Sequence, residues 1–109
     1  MNTYKKGSRV RLEARRLLEA MGYLVEITER TVKYEKRDLF GIADLIGLKN
    51  NLVVFVQVSC NRPHTHSVFR EFAKKYAGDN IHVEQWIHYD RAGFKVFKYD
   101  KFGDMVVIK

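Results

Sequence analysis

The sequence predicts one α/β domain in which a mixed sheet is covered by helices. Two observations support this prediction. An amphipathic helical segment opens the chain, and a second helical segment separates two groups of short apolar runs that are typical of strands. A length of 109 residues suits a single domain, expected to span residues 1–109. A hydrophobic share of 46% is ample for a packed core and argues against a disordered chain.

The first helix is predicted over residues 8–21. Ser8 is placed to cap its N-terminus, and Gly22 is placed to end it. The apolar residues recur at helical spacing, so they form one stripe that would face the sheet. The stripe consists of Val10, Ala14, Leu17, Leu18 and Met21.

Three strands are predicted next, over residues 23–30, 40–48 and 52–59. A charged stretch, residues 33–38, leads into the second strand, and Asn50 and Asn51 form the tight turn before the third. The third strand is almost continuously apolar, as a central strand covered on both faces must be.

A loop over residues 60–65 precedes a second helix, predicted over residues 66–77 and stopped by Gly78. Strands follow over residues 81–89 and 94–99, joined by a turn, and residues 106–108 are expected to add a short last strand. The order is therefore α-β-β-β-α-β-β. A hairpin followed by a helical crossover indicates a mixed sheet.

The net charge of +7 is unevenly distributed. Residues 1–37 hold ten Lys and Arg against five Glu, and residues 60–78 hold four against one. Residues 38–59 carry −1, and residues 79–109 balance at zero. Clustered positive charge favours a polyanion partner such as nucleic acid, because Lys and Arg displace condensed counterions. A general solubility charge is the alternative explanation.

Other features bear on the compartment. No run approaches the roughly 18 apolar residues of a membrane span, and the polar, basic start of the chain is unlike a secretory signal. Cys60 is the only cysteine, which excludes an internal disulfide and suits a reducing compartment. We therefore expect a cytoplasmic protein without a membrane partner.

Polar residues inside the apolar strands are the first candidates for chemistry. Asp44 lies within the second predicted strand, where a carboxylate is costly to bury without a partner or a metal. Gln57 and Ser59 lie two residues apart in the third strand, so they share one face. A polar pair that ends an apolar run needs hydrogen-bond partners or a ligand.

Glu13 is a third candidate, at the edge of the helical stripe between Arg9 and Arg16. This position could direct its carboxylate toward the sheet. The alternative is an ordinary surface ion pair with one of the two arginines, worth a few tenths of a kcal/mol.

Three segments of the chain together resemble a known family. Lys6, Gly7 and Ser8 precede Glu13, residues 41–45 read Gly-Ile-Ala-Asp-Leu, and residues 56–59 read Val-Gln-Val-Ser. In this order the sequence resembles the PD-(D/E)XK nuclease superfamily, and within it the small archaeal-type Holliday junction resolvases and related phage nucleases. The resemblance covers residues 5–78.

The resemblance implies a restriction-endonuclease-like αβββαβ core with extra C-terminal strands. It implies a DNA endonuclease that uses Mg²⁺ or Mn²⁺ to stabilise developing charge and to generate hydroxide. Asp44 would be the principal metal ligand and Glu13 a second, with the Gln57 amide oxygen and the Val58 carbonyl completing the set. A homodimer is implied, since junction resolvases cut two strands symmetrically. Branched or Holliday junction DNA is the candidate substrate.

The sequence departs from the family where Gln57 and Ser59 replace the Glu and Lys of the Glu-x-Lys motif. Ser59 carries no charge, so as a catalytic residue it could only orient a water or bond to a phosphate oxygen. Similar Gln-x-Ser variants occur in phage proteins of this kind, which makes a phage or virus a candidate source. Asp38 could supply the missing negative charge, and a cation from elsewhere could replace the lysine. The candidates for that cation are Lys36, Arg37, Arg62, Arg70 and Lys74. These five residues, together with Lys5, Lys6, Arg9 and Arg16, are the basic residues predicted to contact DNA.

Three functions remain open from the sequence. The first is a metal-dependent DNA endonuclease, and the second is a DNA-binding module of the same fold with an impaired site. The third is a structural or partner-binding domain in which Asp44 is a satisfied buried carboxylate. Metal-dependent cleavage that needs Asp44 distinguishes the first, and salt-sensitive DNA binding separates the first two from the third.

Overall fold

The computed structural model describes the backbone of residues 3–28, 30–32, 35–37, 40, 42–63 and 66–108, and side chains of residues 9–28, 40, 42–63 and 66–108. Within these residues two helices and eight strands are formed. The elements are α1 (Thr3–Ala20), β1 (Leu24–Ile27), β2 (Arg30–Val32), β3 (Glu35–Arg37), β4 (Leu45–Lys49), β5 (Leu52–Cys60), α2 (His66–Tyr76), β6 (Ile81–Tyr89), β7 (Gly93–Tyr99) and β8 (Met105–Val107).

Six of the strands form one mixed sheet in the order β1-β4-β5-β6-β7-β8. All neighbouring pairs are antiparallel except β5 and β6, which are parallel. A parallel pair cannot be closed by a tight turn, and α2 provides the crossover between these two strands. The predicted α/β class with a mixed sheet is therefore confirmed. Among the described helices, neither is long and apolar enough to cross a membrane.

The hydrophobic core consists of two clusters, one packed against each helix. Val10, Ala14 and Leu18 of the predicted stripe are buried against β1, β4, β5 and the strands beyond, whereas Met21 is 45% exposed. Phe69 and Ala73 of α2 pack with residues of β6 and β7 in the second cluster. The stripe is thus confirmed at its centre and ends one turn earlier than predicted.

Several predicted boundaries were wrong. The first helix begins at Thr3, so Ser8 lies inside it and is not its N-cap. Capping preference is a weak signal, and a serine is tolerated within a helix that packing stabilises. The second predicted strand starts at Leu45 rather than at residue 40, because Phe40 has a φ of 55°, outside the β region.

A short hairpin occupies the region where a charged connection was predicted. Strands β2 and β3 pair antiparallel, separately from the main sheet. The apolar alternation on which strand prediction depends is lacking there, since residues 29–38 are mostly charged. In contrast, the predicted turn at Asn50 is confirmed: its φ of 53° is a left-handed conformation that asparagine tolerates.

Candidate functional site

Asp44 lies where the pairing between β4 and β5 ceases to be regular. The register ends at the pair of Leu45 with Val56, and the Asp44 N–H donates to the Val56 carbonyl over 2.9 Å. The Asp44 carboxylate Oδ2 accepts a hydrogen bond from the Val58 N–H, also at 2.9 Å. Asp44 is only 3% exposed. The burial predicted from the sequence is confirmed, and a main-chain donor is one of the partners that make it tolerable.

Gln57 continues this polar region on the face of the sheet that α2 covers. It is 5% exposed and lies directly opposite Gln85 in the parallel strand β6. The Gln85 amide donates to the Tyr99 hydroxyl over 3.0 Å, and the same hydroxyl is hydrogen-bonded to His66 Nδ1 at the start of α2. Burial raises the pKa of Tyr99, against the opposing effects of the Gln85 hydrogen bond and the Arg70 charge.

Gln57, Gln85, Tyr99 and His66 form a polar row under α2, of which Gln85 and Tyr99 were not predicted from the sequence. A partial signal was present for Gln85, because its neighbours on the same face of β6, Val83 and Ile87, are apolar, and Gln85 is fully buried. Tyr99 carries no such signal, because an aromatic residue in a strand fits an ordinary core. His66, at the start of α2, contacts Tyr99, and the nearby His64 lies outside the described residues.

Ser59 is engaged with the loop that follows its strand. Its hydroxyl donates to the Arg62 carbonyl over 2.8 Å. The loop is further held because the Asn61 N–H donates to the His88 carbonyl and its side chain bonds with Asp90. Arg62 is thereby kept close to Ser59, with its own side chain exposed. Among the candidate cations with described side chains, Arg62, Arg70 and Lys74, it is Arg62 that is connected to the predicted site through Ser59.

Glu13 lies on the other helix-covered side of the molecule, against β6. Its carboxylate is 53% exposed and approaches the His88 imidazole, with 3.9 Å between Oε2 and Nε2. The other ring nitrogen of His88, Nδ1, is buried and has no hydrogen-bond partner among the described residues. The two carboxylates predicted to share a metal therefore have different surroundings, one between β4 and β5 and one across from β6.

The donors near Asp44 suit a hard cation chemically. A carboxylate, the Gln57 amide oxygen and the Val58 carbonyl are all oxygen ligands, which Mg²⁺ and Mn²⁺ prefer. Among the described residues, no group of three or more His, Cys, Asp or Glu side chains is placed to hold a metal ion. The predicted ligand set contains only two such residues, so this finding does not bear on it. Asp38 lies outside the described residues.

The predicted DNA-binding residues are divided between the two helices. Arg9 and Arg16 are exposed on α1, and Arg70 and Lys74 are exposed on α2. The Lys74 stem passes over Gly103, where an added Cβ would lie 2.9 Å from Cε. Each helix packs with a different core cluster, so the cations of α1 and those of α2 do not form one continuous surface on a single helix. The side chains of Lys5, Lys6, Lys36 and Arg37 lie outside the described residues.

An aromatic cleft lies beside α2. Phe40, Phe55, Phe72 and Tyr76 form edge-to-face, stacked and tilted ring contacts with centroids 4.9–6.1 Å apart. They line a cavity of about 510 Å³, and the Phe40 and Tyr76 rings are largely exposed. The cleft therefore leaves ring surface of Phe40 and Tyr76 accessible.

Comparison with known proteins does not identify a family. No family model matches the chain, and no curated protein matches it significantly.

Proposed function

We propose that the chain is a divalent-metal-dependent endonuclease of the PD-(D/E)XK type that acts on DNA. The observation that carries the proposal is the position of Asp44. Its carboxylate is buried where two central strands cease to pair, next to the Gln57 and Val58 positions of β5. An acid held at such a break, among other oxygen donors, is chemically suited to bind a hard cation.

The order of elements supports the proposal. Helix α1 is followed by the antiparallel strands β1, β4 and β5, and α2 then leads to the parallel strand β6. This order is compatible with the αβββαβ core that the resemblance implies. The hairpin of β2 and β3 would be an insertion, and β7 and β8 would be additions at the end of the sheet.

In this proposal Asp44 is the principal ligand of Mg²⁺ or Mn²⁺, with the Gln57 amide and the Val58 carbonyl as neutral ligands. Glu13 would act through a water, because its carboxylate faces His88. When bound, the metal supplies charge stabilisation and a hydroxide nucleophile. Arg62 would take the place of the family lysine, since the Ser59 hydroxyl holds its main chain at the end of β5. Arginine stays charged at any working pH and binds phosphate oxygens in a bidentate manner.

A second candidate, DNA binding without cleavage, is favoured by a specific observation. Asp44 and Gln57 are 3% and 5% exposed, and the Ser59 hydroxyl is committed to a main-chain carbonyl. A metal would need both side chains to open toward solvent. The basic charge would then serve phosphate contacts alone.

The test is cleavage of labelled linear, nicked, flap and four-way-junction DNA with Mg²⁺ or Mn²⁺. Wild type is compared with Asp44→Asn, which keeps an acceptor for the Val58 N–H but loses the charge. Asp79→Asn changes an exposed acid and is the matched control. Cleavage lost only in Asp44→Asn supports the nuclease. Binding of all substrates without cleavage supports the binding module. If the protein neither binds nor cleaves any of the substrates, both candidate functions are contradicted.

The homodimer and the cytoplasmic location remain predictions. A dimer with two-fold symmetry would place two sites for symmetric cuts in branched DNA. Light scattering during size-exclusion chromatography measures the mass directly, and a monomer with full junction cleavage would contradict the symmetric model.

A further inference from the structure

A cavity on the α1 side of the sheet contains ionisable groups that the proposed nuclease does not use. It lies between the end of α1 and the strands β6 and β7, with a volume of about 330 Å³. Leu18, Met21, Val96 and Ile108 supply apolar walls. Pockets for small organic ligands start at roughly 300 Å³ and combine apolar walls with a few placed polar groups.

Glu84 is the acidic group of this cavity. It is 7% exposed, and its Oε1 accepts a hydrogen bond from the Trp86 indole N–H over 2.9 Å. Burial raises the pKa of Glu84, although the Trp86 hydrogen bond and the Lys98 charge oppose that effect. Its second oxygen, Oε2, lies 3.9 Å from His82 Nδ1, too far for a hydrogen bond. This carboxylate therefore keeps acceptor capacity toward the cavity, since each oxygen can accept more than one hydrogen bond.

Lys98 places a cation next to that carboxylate. It is the register partner of Glu84 across β6 and β7, so the two side chains leave the sheet on the same face. Its Nζ lies 3.3 Å from His82 Nε2. Because an ammonium group only donates, Nε2 is the acceptor and His82 is uncharged in this contact. Burial and the Lys98 charge both lower the pKa of His82, which agrees with a neutral ring.

The cavity thus presents a donor beside a pair of acceptors, together with aromatic surface from Tyr23 and Trp86. Guanine is the nucleobase whose pairing edge is complementary to this array, because it carries one acceptor, O6, beside two donors, N1–H and the N2 amino group. The edges of adenine, cytosine and thymine each offer fewer adjacent donors to a carboxylate. Proteins that bind an unpaired base combine such hydrogen bonds with contact to aromatic rings.

We propose that this cavity binds a guanine base, with Glu84 accepting from N1–H and the N2 amino group and Lys98 donating to O6. The base could come from a free guanine nucleotide or from an unpaired guanine in a nucleic acid strand. None of the predicted metal ligands lines the cavity, so the proposal does not depend on the nuclease and is tested without metal.

Trp86 makes the test direct, because it is the only tryptophan of the chain and lines the cavity. Its fluorescence is followed while the full chain is titrated with GMP, AMP, CMP and UMP. A saturable change with GMP is expected at a concentration about tenfold below that needed for the other nucleotides. A tenfold preference corresponds to about 1.4 kcal/mol, which a bidentate contact to one base can supply. Equal responses to all four nucleotides, or none, would overturn the proposal.

Variants assign the effect to the two charged groups. Glu84→Gln and Lys98→Met should each lose the preference for GMP, and a folded variant of either that keeps it would overturn the proposal. Glu26→Gln and Lys95→Met change exposed residues of β1 and β7 and should keep the preference. Far-ultraviolet circular dichroism establishes that each variant is folded. Asp44→Asn should bind GMP like wild type, which separates this test from that of the nuclease.

The source of the base is decided by a second titration. A thymine oligonucleotide with one central guanine is compared with the same strand containing adenine instead. Preference for the guanine strand assigns the cavity to nucleic acid. Binding of GMP with no difference between the strands assigns it to the free nucleotide.

Discussion

Two buried acids, Asp44 and Glu84, lie on either side of the central strand β5. The first is surrounded by main-chain groups, and the second faces a cavity. Asp44 meets β5 at Val56 and Val58, where main-chain groups bond to it directly. Glu84 is the register partner of Val56 on the other neighbouring strand, and its carboxylate faces a cavity beside Trp86 and Lys98. Both are nearly inaccessible to solvent, and Glu84 lines a cavity of about 330 Å³, large enough for a ligand.

Burial of an acid therefore does not by itself indicate a functional site. A carboxylate bound to a main-chain N–H replaces a missing strand partner, so it has a structural role whatever else it does. The Glu84 carboxylate also accepts a buried hydrogen bond, from the Trp86 indole, but it lines a cavity next to Lys98, which gives it access to a ligand. The following predictions test whether the two acids differ in this way.

The largest expected effect is on cleavage. Asp44→Asn should lower metal-dependent cleavage on the order of 10³-fold, since a metal supplies several kcal/mol to such reactions and each 1.36 kcal/mol is tenfold. Glu84→Gln should leave cleavage unchanged within about twofold, as an effect of less than half a kcal/mol. Initial rates on labelled junction DNA measure both. Equal losses in the two variants would contradict a division of roles between the acids.

A smaller effect is expected on stability. Asp44→Ala should lower the free energy of unfolding by about 1–3 kcal/mol, because the buried Val58 N–H loses its acceptor. Asp44→Asn should lose less than half of that, as its amide oxygen can still accept. Urea unfolding measures the differences, with Asp79→Ala as the exposed control. An Asp44→Ala variant as stable as wild type would refute the structural role of the carboxylate.

Substitutions in the polar row under α2 should lower the free energy of unfolding by a similar amount. Tyr99→Phe removes the hydroxyl shared by Gln85 and His66, and we expect a loss of about 1–2 kcal/mol in unfolding free energy. Tyr76→Phe removes a hydroxyl from an exposed ring and should be neutral within about 0.5 kcal/mol. If both substitutions are neutral, the Tyr99 hydroxyl contributes nothing to the fold.

The smallest expected effect is the pH dependence of stability in the Glu84 cavity. Burial raises the pKa of Glu84 above 4.5, so the folded state holds the proton more tightly and its contribution is lost as the pH rises through the folded pKa. His82 has the opposite sign. Its pKa is lowered below 6.5, so its contribution is present above pH 6.5 and is lost as the pH falls through the folded pKa.

Glu84→Gln should therefore gain stability relative to wild type as the pH rises from 4.5, and His82→Gln should gain relative stability as the pH falls from 6.5. Urea midpoints at intervals between pH 4.5 and 8 measure both trends. The groups that face these two residues are Lys98, Trp86 and Tyr23 together with the main chain of Asp79. A Glu84→Gln difference that is flat across this range would show that Glu84 titrates as an exposed acid does.

Much of the architecture follows from local pattern. The stripe of α1 around Ala14, the helix α2, the turn at Asn50 and the strand β6 could all be predicted, because periodicity and turn residues are properties of neighbouring positions. The burial of Asp44 could be predicted for the same reason, because the apolar residues on both sides of it are expected to be buried together with it. The charged hairpin of β2 and β3 could not be predicted, because nothing in its sequence pattern distinguishes a charged strand from a charged loop.

Which side chains meet across strands depends on the tertiary structure. Gln57 lies next to Gln85, Glu13 faces His88, and Glu84 shares a register position with Lys98. Such pairs are set by strand order and register, and a shift of one residue would turn every side chain of a strand to the opposite face. The class of fold and the burial of Asp44 therefore follow from local sequence pattern. The pairing of distant strands decided what surrounds each acid, because that pairing is governed by contacts between residues far apart in the chain.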